Sequence, residues 1–243
     1  MNNNATVERM KQMRLKGMSV AFQTAIETRS HQDMTPDELV SYIVEAEYYD
    51  RDNRRINRSL ESAHFRYQAS IEEIDFHSQR NLDKNTLLRL ADLSFITNKE
   101  NIIITGKTGV GKSYLASALG HKACIEGYKV MYFNTGRLFS KLKMSGADNS
   151  YMKEIRKIEQ QDLIILDDFG LQPLDMQSRL FLLEILEDRH GRHSTIFTSQ
   201  LPVANWHEII EDATIADAIL DRVVHSSHRI ELNGESLRKI EKK

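Results

Sequence analysis

The octapeptide Gly106-Lys107-Thr108-Gly109-Val110-Gly111-Lys112-Ser113 constrains this chain more than any other feature. Its glycines allow a loop that closes around phosphate oxygens with its N–H groups turned inward. The dipole of a following helix adds positive potential at the same point. The pattern has this meaning only between a strand and a helix, and both flank it here. Asn101–Thr105 is an apolar run of strand length, and Ser113–Glu126 reads as a helix. The sequence therefore predicts a site for ATP built from Gly106, Lys107, Thr108, Gly109, Val110, Gly111, Lys112, Ser113 and Tyr114. Lys112 is placed to reach the β- and γ-phosphates, and the Ser113 hydroxyl to hold Mg2+.

Leu163-Ile164-Ile165-Leu166-Asp167-Asp168 supplies a second half. Four apolar residues make a buried strand, and the acids fall at its C-terminal end, where open α/β sheets bind ligands. Asp167 is expected at the Mg2+ ion, through water. Asp168 is expected to orient or deprotonate an attacking water; its alternative is to cap the following turn.

From about Asn98 the strand candidates Asn101–Thr105, Val130–Asn134, Leu163–Asp167, Thr195–Ser199 and Arg229–Leu232 alternate with helical segments. That order predicts an α/β fold with a five-stranded, mainly parallel sheet covered on both faces. Residues before Asn98 read as helical, with one helix over Ala5–Thr28. A second opens at Thr35-Pro36-Asp37-Glu38, a capping box with proline in the first turn, and runs to about His64. A linker-like stretch from Phe65 to Asp83 and a short helix over Leu87–Phe95 follow. The expected division is a small all-α N-terminal domain (1–70), a linker with a short helix (71–97) and the nucleotide domain (98–243). The single cysteine, Cys124, excludes an internal disulfide, and no apolar run is long enough to span a bilayer. A cytoplasmic protein without membrane contact is expected. The net charge of -2 means that a basic partner surface must be local.

The blocks GKTGVGKSYLASALGHKA, LIILDDFGLQPL, TIFTSQLPVANWHEII, TIADAILDRVVHSSHRIEL and GESLRK resemble the AAA+ ATPases of the helicase-loader and initiator branch. They resemble the IstB-type transposition helper ATPases more closely still. The resemblance spans about Asn101 to Lys239; LKGM, the long capped helix and an arginine-rich segment extend it more loosely. It implies ATP hydrolysis, assembly into a ring or spiral homo-oligomer, duplex DNA and a transposase as partners, and help in selecting or remodelling target DNA. A helicase loader is the alternative in the same class. A small-molecule P-loop kinase lacks support, because no lid is in evidence. The resemblance further implies that Gln200 senses the γ-phosphate, with Thr198 as the other candidate. Arg222 matches an arginine finger supplied to a neighbouring subunit, against a surface pair with Asp221. Arg238 matches a second sensor arginine, and Arg189 a weaker contact between subunits. The chain stops soon after that block, so a C-terminal helical lid is expected to be absent.

Arg51, Arg54, Arg55 and Arg58 recur at i, i+3, i+4 and i+7 and share one face of the long helix. That stripe suits DNA phosphates. Its alternative is intrahelical pairing, with Glu47, Asp50 and Glu61 in reach. A second basic set, Arg137, Lys141 and Lys143, falls on the helix after the second strand. In the initiator branch that region faces a DNA channel.

Overall fold

Ile102–Ile104, Leu163–Leu166 and Ile196–Phe197 lack the polar alternation of a half-exposed strand, so both faces must be covered. The computed structural model, which describes residues 3–76, 80–147 and 149–237, meets that requirement. The elements are α1 (Asn3–Gln12), α2 (Lys16–Glu27), α3 (Pro36–Ala63), α4 (Lys84–Ala91), α5 (Ser94–Thr97), β1 (Asn101–Gly106), α6 (Lys112–Ile125), β2 (Val130–Asn134), α7 (Thr135–Ala147), α8 (Tyr151–Glu159), β3 (Leu163–Phe169), α9 (Met176–Arg189), β4 (Ser194–Ser199), α10 (Trp206–Ile210), α11 (Ala213–Val224) and β5 (Ser227–Leu232). The sheet has the order β2-β3-β4-β1-β5, and every pair is parallel.

Alternate residues of β1, β3 and β4 serve different cores. Ile102, Ile104, Ile165 and Ile196 pack with Leu87 and Leu90 of α4 and Leu115 and Leu119 of α6. Ile103, Ile164, Leu166 and Phe197 pack on the other face with Leu138, Leu182, Ile219 and Trp206. Trp206 is fully buried, its ring 4.5 Å from that of Phe169 and 5.6 Å from that of Phe197. It sits on the face of two inner strands. Because all strands run the same way, their C-terminal ends form one edge, and the loops after β1, β3 and β4 all emerge there.

Contacts divide the chain into two compact units after Arg58. In the first, the single helix expected over Ala5–Thr28 is two. Arg14 adopts a left-handed conformation (φ 61°), Leu15 N–H donates to Met10 O at 2.9 Å and Arg14 N–H to Lys11 O at 2.9 Å. This is a Schellman ending without the glycine that usually marks one. Gly17 lets α2 approach α3: a Cβ there would lie 2.3 Å from Ala46 O. The Thr35–Glu38 capping box forms as expected, with Thr35 N–H donating to Glu38 Oε2 at 2.7 Å and Glu38 N–H to Thr35 Oγ1 at 3.3 Å. In the second unit, the helix expected over Leu87–Phe95 starts earlier, because Asp83 caps Thr86 N–H at 2.7 Å. It breaks at Leu93, whose φ is 64°. No helix of the described residues is long and apolar enough to cross a membrane.

Candidate functional site

The loop after β1 has the conformation its glycines permit. Gly109 (φ 86°) and Gly111 (φ 97°) lie in the left-handed region, and a Cβ on Gly109 would fall 2.1 Å from Ser236 Oγ. Val110 turns its side chain into the core, so only its backbone faces the site. Lys112 is buried, and its ammonium donates to the carbonyls of Gly106 (2.7 Å) and Lys107 (2.9 Å). Thr108, Gly109, Gly111, Lys112 and Ser113 line a cavity of about 410 Å³ together with Asp168 and Gln200. Tyr67, Tyr114 and Leu237 give it apolar surface, which suits a nucleobase. The Tyr114 hydroxyl is fixed by Glu73 at 2.9 Å, and burial followed by that carboxylate raises its pKa.

Asp167 is fully buried at the end of β3, and four donors converge on its carboxylate. Ser113 Oγ (2.7 Å) and Thr198 Oγ1 (2.5 Å) reach Oδ1; the Tyr132 hydroxyl and Arg66 Nη1 (3.3 Å) reach Oδ2. Burial, then the bond to Asp167 and its charge, push the Tyr132 phenol far above its usual range, so it remains a donor. The next residue breaks the strand. Asp168 has φ 59°, and the pairing of β3 with β4 shifts register between Leu166 and Phe169. Aspartate tolerates this conformation better than most residues, and such strain collects at functional sites. The turn delivers the Asp168 carboxylate to the cavity, where it accepts from Arg66 Nη1 at 3.1 Å and Asn134 Nδ2 at 3.3 Å. Thr198 steadies both acids, since it also accepts from Asp168 N–H at 3.1 Å. A serine hydroxyl bonded to a buried carboxylate, beside a phosphate loop, is an all-oxygen donor set of the kind Mg2+ takes. Ser113 and Asp167 fit that ion.

The structure separates the two sensor candidates. Gln200 Oε1 accepts from Thr108 Oγ1 at 2.8 Å, on the phosphate loop, whereas Thr198 is buried behind the acids. Arg222 is not at this edge. Its carbonyl accepts from Asn101 Nδ2 at 3.2 Å, at the start of β1, and its guanidinium pairs with Glu187 rather than Asp221, which pairs with His225. Arg189 is turned into the fold. It is 2% exposed and donates to the carbonyls of Ser194 (2.6 Å), Gln161 (2.9 Å) and Ile158 (3.0 Å), so its donors are spent inside the fold. Burial pulls its pKa down to about 9 against the charge of Asp162, which leaves it protonated at neutral pH. Arg238 lies outside the described residues.

The basic sets are largely paired. Arg51 meets Glu47 at 2.7 Å, Arg54 meets Asp50 at 2.6 Å and Arg55 meets Asp52 at 2.8 Å, while Arg58 Nε donates to Arg54 O at 3.1 Å. Lys141 binds Glu154 and Lys143 binds Asp175, which that bond and the α9 cap hold at a pKa of about 2. Arg137 is exposed on α7. Sequence reasoning missed Arg66, Tyr67, Tyr132 and Asn134. The pair Arg66-Tyr67, a cation beside an aromatic just past the end of a long helix, was the available signal for two of them.

A family model described as IstB-like ATP binding protein matches residues 8–243. The insertion sequence ATP-binding protein y4pL of Sinorhizobium fredii is 45% identical over 234 residues, covering 96% of each chain. Among solved structures, DnaI superposes with a TM-score of 0.60 at 21% identity, over 72% of this chain and 93% of that one. The replication initiator DnaA bound to AMPPCP and single-stranded DNA gives a TM-score of 0.57 at 16% identity, over 74% of this chain and 55% of that one. The fold is therefore the one that DnaI and DnaA share.

Proposed function

The chain belongs to the IstB-like ATP binding protein family, and on that premise we propose that it is a Mg2+-dependent ATPase that assists a transposase in selecting and remodelling target DNA. The observation that carries the enzymatic reading is the 2.7 Å bond from Ser113 to Asp167, which joins the phosphate loop to the acid pair at one sheet edge. ATP enters the cavity with its phosphates along the N–H groups of the loop. Lys112 exchanges its two carbonyl partners for β- and γ-phosphate oxygens, and Gln200 reads the γ-phosphate from the end of β4. When bound, Mg2+, held by Ser113 and Asp167, supplies charge neutralisation to the phosphates. Asp168 takes the proton of the attacking water, the water oxygen bonds to the γ-phosphorus, and ADP leaves with the electron pair of the broken bond.

Arg222 completes a neighbouring subunit's site. Asn101 and Gly106 begin and end β1, and five steps of about 3.3 Å set them roughly 16 Å apart. Arg222 stands at the first end, the nucleotide at the second, so its guanidinium serves a phosphate brought by another copy in a ring or spiral. Arg238 is assigned there only by resemblance. The stripe Arg51, Arg54, Arg55 and Arg58, with Arg137, Lys141 and Lys143, is assigned to duplex DNA, and 98–243, joined by Arg66 and Tyr67, to nucleotide. The decisive experiment is a fluorescent-nucleotide titration of Lys112→Ala. Saturation should vanish at concentrations that fill the wild type, and unchanged affinity would place the nucleotide elsewhere.

A further inference from the structure

Two adjacent carboxylates at one edge of a sheet, one of them fully buried, need a counter-charge. Lys112 is turned to its own loop carbonyls. A positive charge in direct contact with both acids comes from the segment between α3 and α4. Arg66 Nη1 lies 3.3 Å from Asp167 Oδ2 and 3.1 Å from Asp168 Oδ2, so a single nitrogen bridges both acids. The backbone around it is held: Ala63 and Ala69 are buried in the core, and Phe65 packs against the same cluster. The side chain itself is 41% exposed, lies over the Tyr67 ring at 5.5 Å and borders the nucleotide cavity. The guanidinium therefore has somewhere to go without unfolding its segment.

We propose that Arg66 is a resident counter-cation for Asp167 and Asp168, and that it competes with Mg2+ for them. The inference rests on the reading of this site as one for ATP and Mg2+. Without metal, Arg66 pairs with both acids and occupies the side they turn to the cavity. With metal, the oxygens that bind Arg66 are the ones required for other work: Asp167 at the ion and Asp168 at the water. Release of Arg66 is then part of arming the site, and the strength of its pairing sets how much Mg2+ is needed.

The test is the free Mg2+ concentration that half-restores fluorescent-ATP binding to full-length protein from EDTA, for wild type, Arg66→Gln and Arg66→Lys. A charge-assisted bond of the usual net strength corresponds to roughly a tenfold shift. Arg66→Gln should move the midpoint about tenfold lower, Arg66→Lys should fall between, and nucleotide affinity at saturating Mg2+ should not weaken. A midpoint that stays put in Arg66→Gln, with a wild-type melting profile, overturns the competition. So does a loss of ATP affinity at saturating Mg2+, which would make Arg66 a phosphate ligand instead. If wild-type binding does not respond to Mg2+ at all, the failure lies with the reading of the site and not with Arg66.

Discussion

The two ends of the parallel sheet each bury a charge, and they treat it in opposite ways. At the C-terminal edge Asp167 gathers a serine, a threonine, a tyrosine and an arginine, and two of these four, Ser113 and Arg66, line the cavity. At the N-terminal edge Arg189 gathers mostly main-chain carbonyls, those of Ile158, Gln161 and Ser194, with the Thr195 hydroxyl at 3.3 Å as the one side-chain partner among its described contacts. Carbonyls fixed in the backbone cannot be exchanged for a ligand, whereas a hydroxyl and a guanidinium can turn away. A buried charge marks a working site when its partners are replaceable and a space adjoins them. When its partners are the chain itself, it holds the fold.

The sharpest way to break that contrast is Arg222, which stands at the structural end yet is assigned to chemistry. Arg222→Ala should lower hydrolysis by about 1,000-fold or more, as arginine fingers do, with ATP binding intact. Mixing it with Lys112→Ala protein should restore part of the rate, read as phosphate release. Co-assembly without any recovery would return Arg222 to a structural pair with Glu187. Next in size is Arg189→Leu. Three buried carbonyls would lose their donor at about 1–3 kcal/mol each, so thermal unfolding should shift down by roughly 6 °C or more. The folded fraction should bind ATP as wild type does; a nucleotide defect without a stability defect would erase the distinction between the two ends.

Much of the working end was legible because its parts are local. Gly106–Ser113 and Leu163–Asp168 are contiguous, and the flanking runs fix their element types. Parallel order followed from strands separated by helices. What stayed hidden was non-local or lacked its customary residue. Arg66 and Asp167 are 101 positions apart, and no spacing rule joins a linker to a strand end. The break at Arg14 and the turn at Asp168 use a left-handed backbone without glycine. Arg189 reads as one more charge at the end of a helix until burial is known. The arginines of α3 illustrate the reverse: the sequence offered both their shared face and their pairing, and the pairs with Glu47 and Asp50 formed.

The smallest expected effect concerns those arginines. Pairs between partly exposed side chains on one helix are worth little, so phosphate can displace their acidic partners. Replacing Arg54 and Arg55 with alanine should weaken duplex binding on every sequence alike and flatten the slope of log affinity against log salt by up to about 2. DNA-independent ATPase activity should persist. An unchanged slope would remove α3 from the DNA-binding surface.

The exchangeable end is tested most directly by Asp168→Asn, which keeps the shape of the residue and removes its base. ATP affinity and rates of phosphate release should be measured on the same preparation. Binding should match wild type while turnover falls by about 100- to 10,000-fold. Wild-type turnover in that variant would contradict the assignment of the acid pair to catalysis.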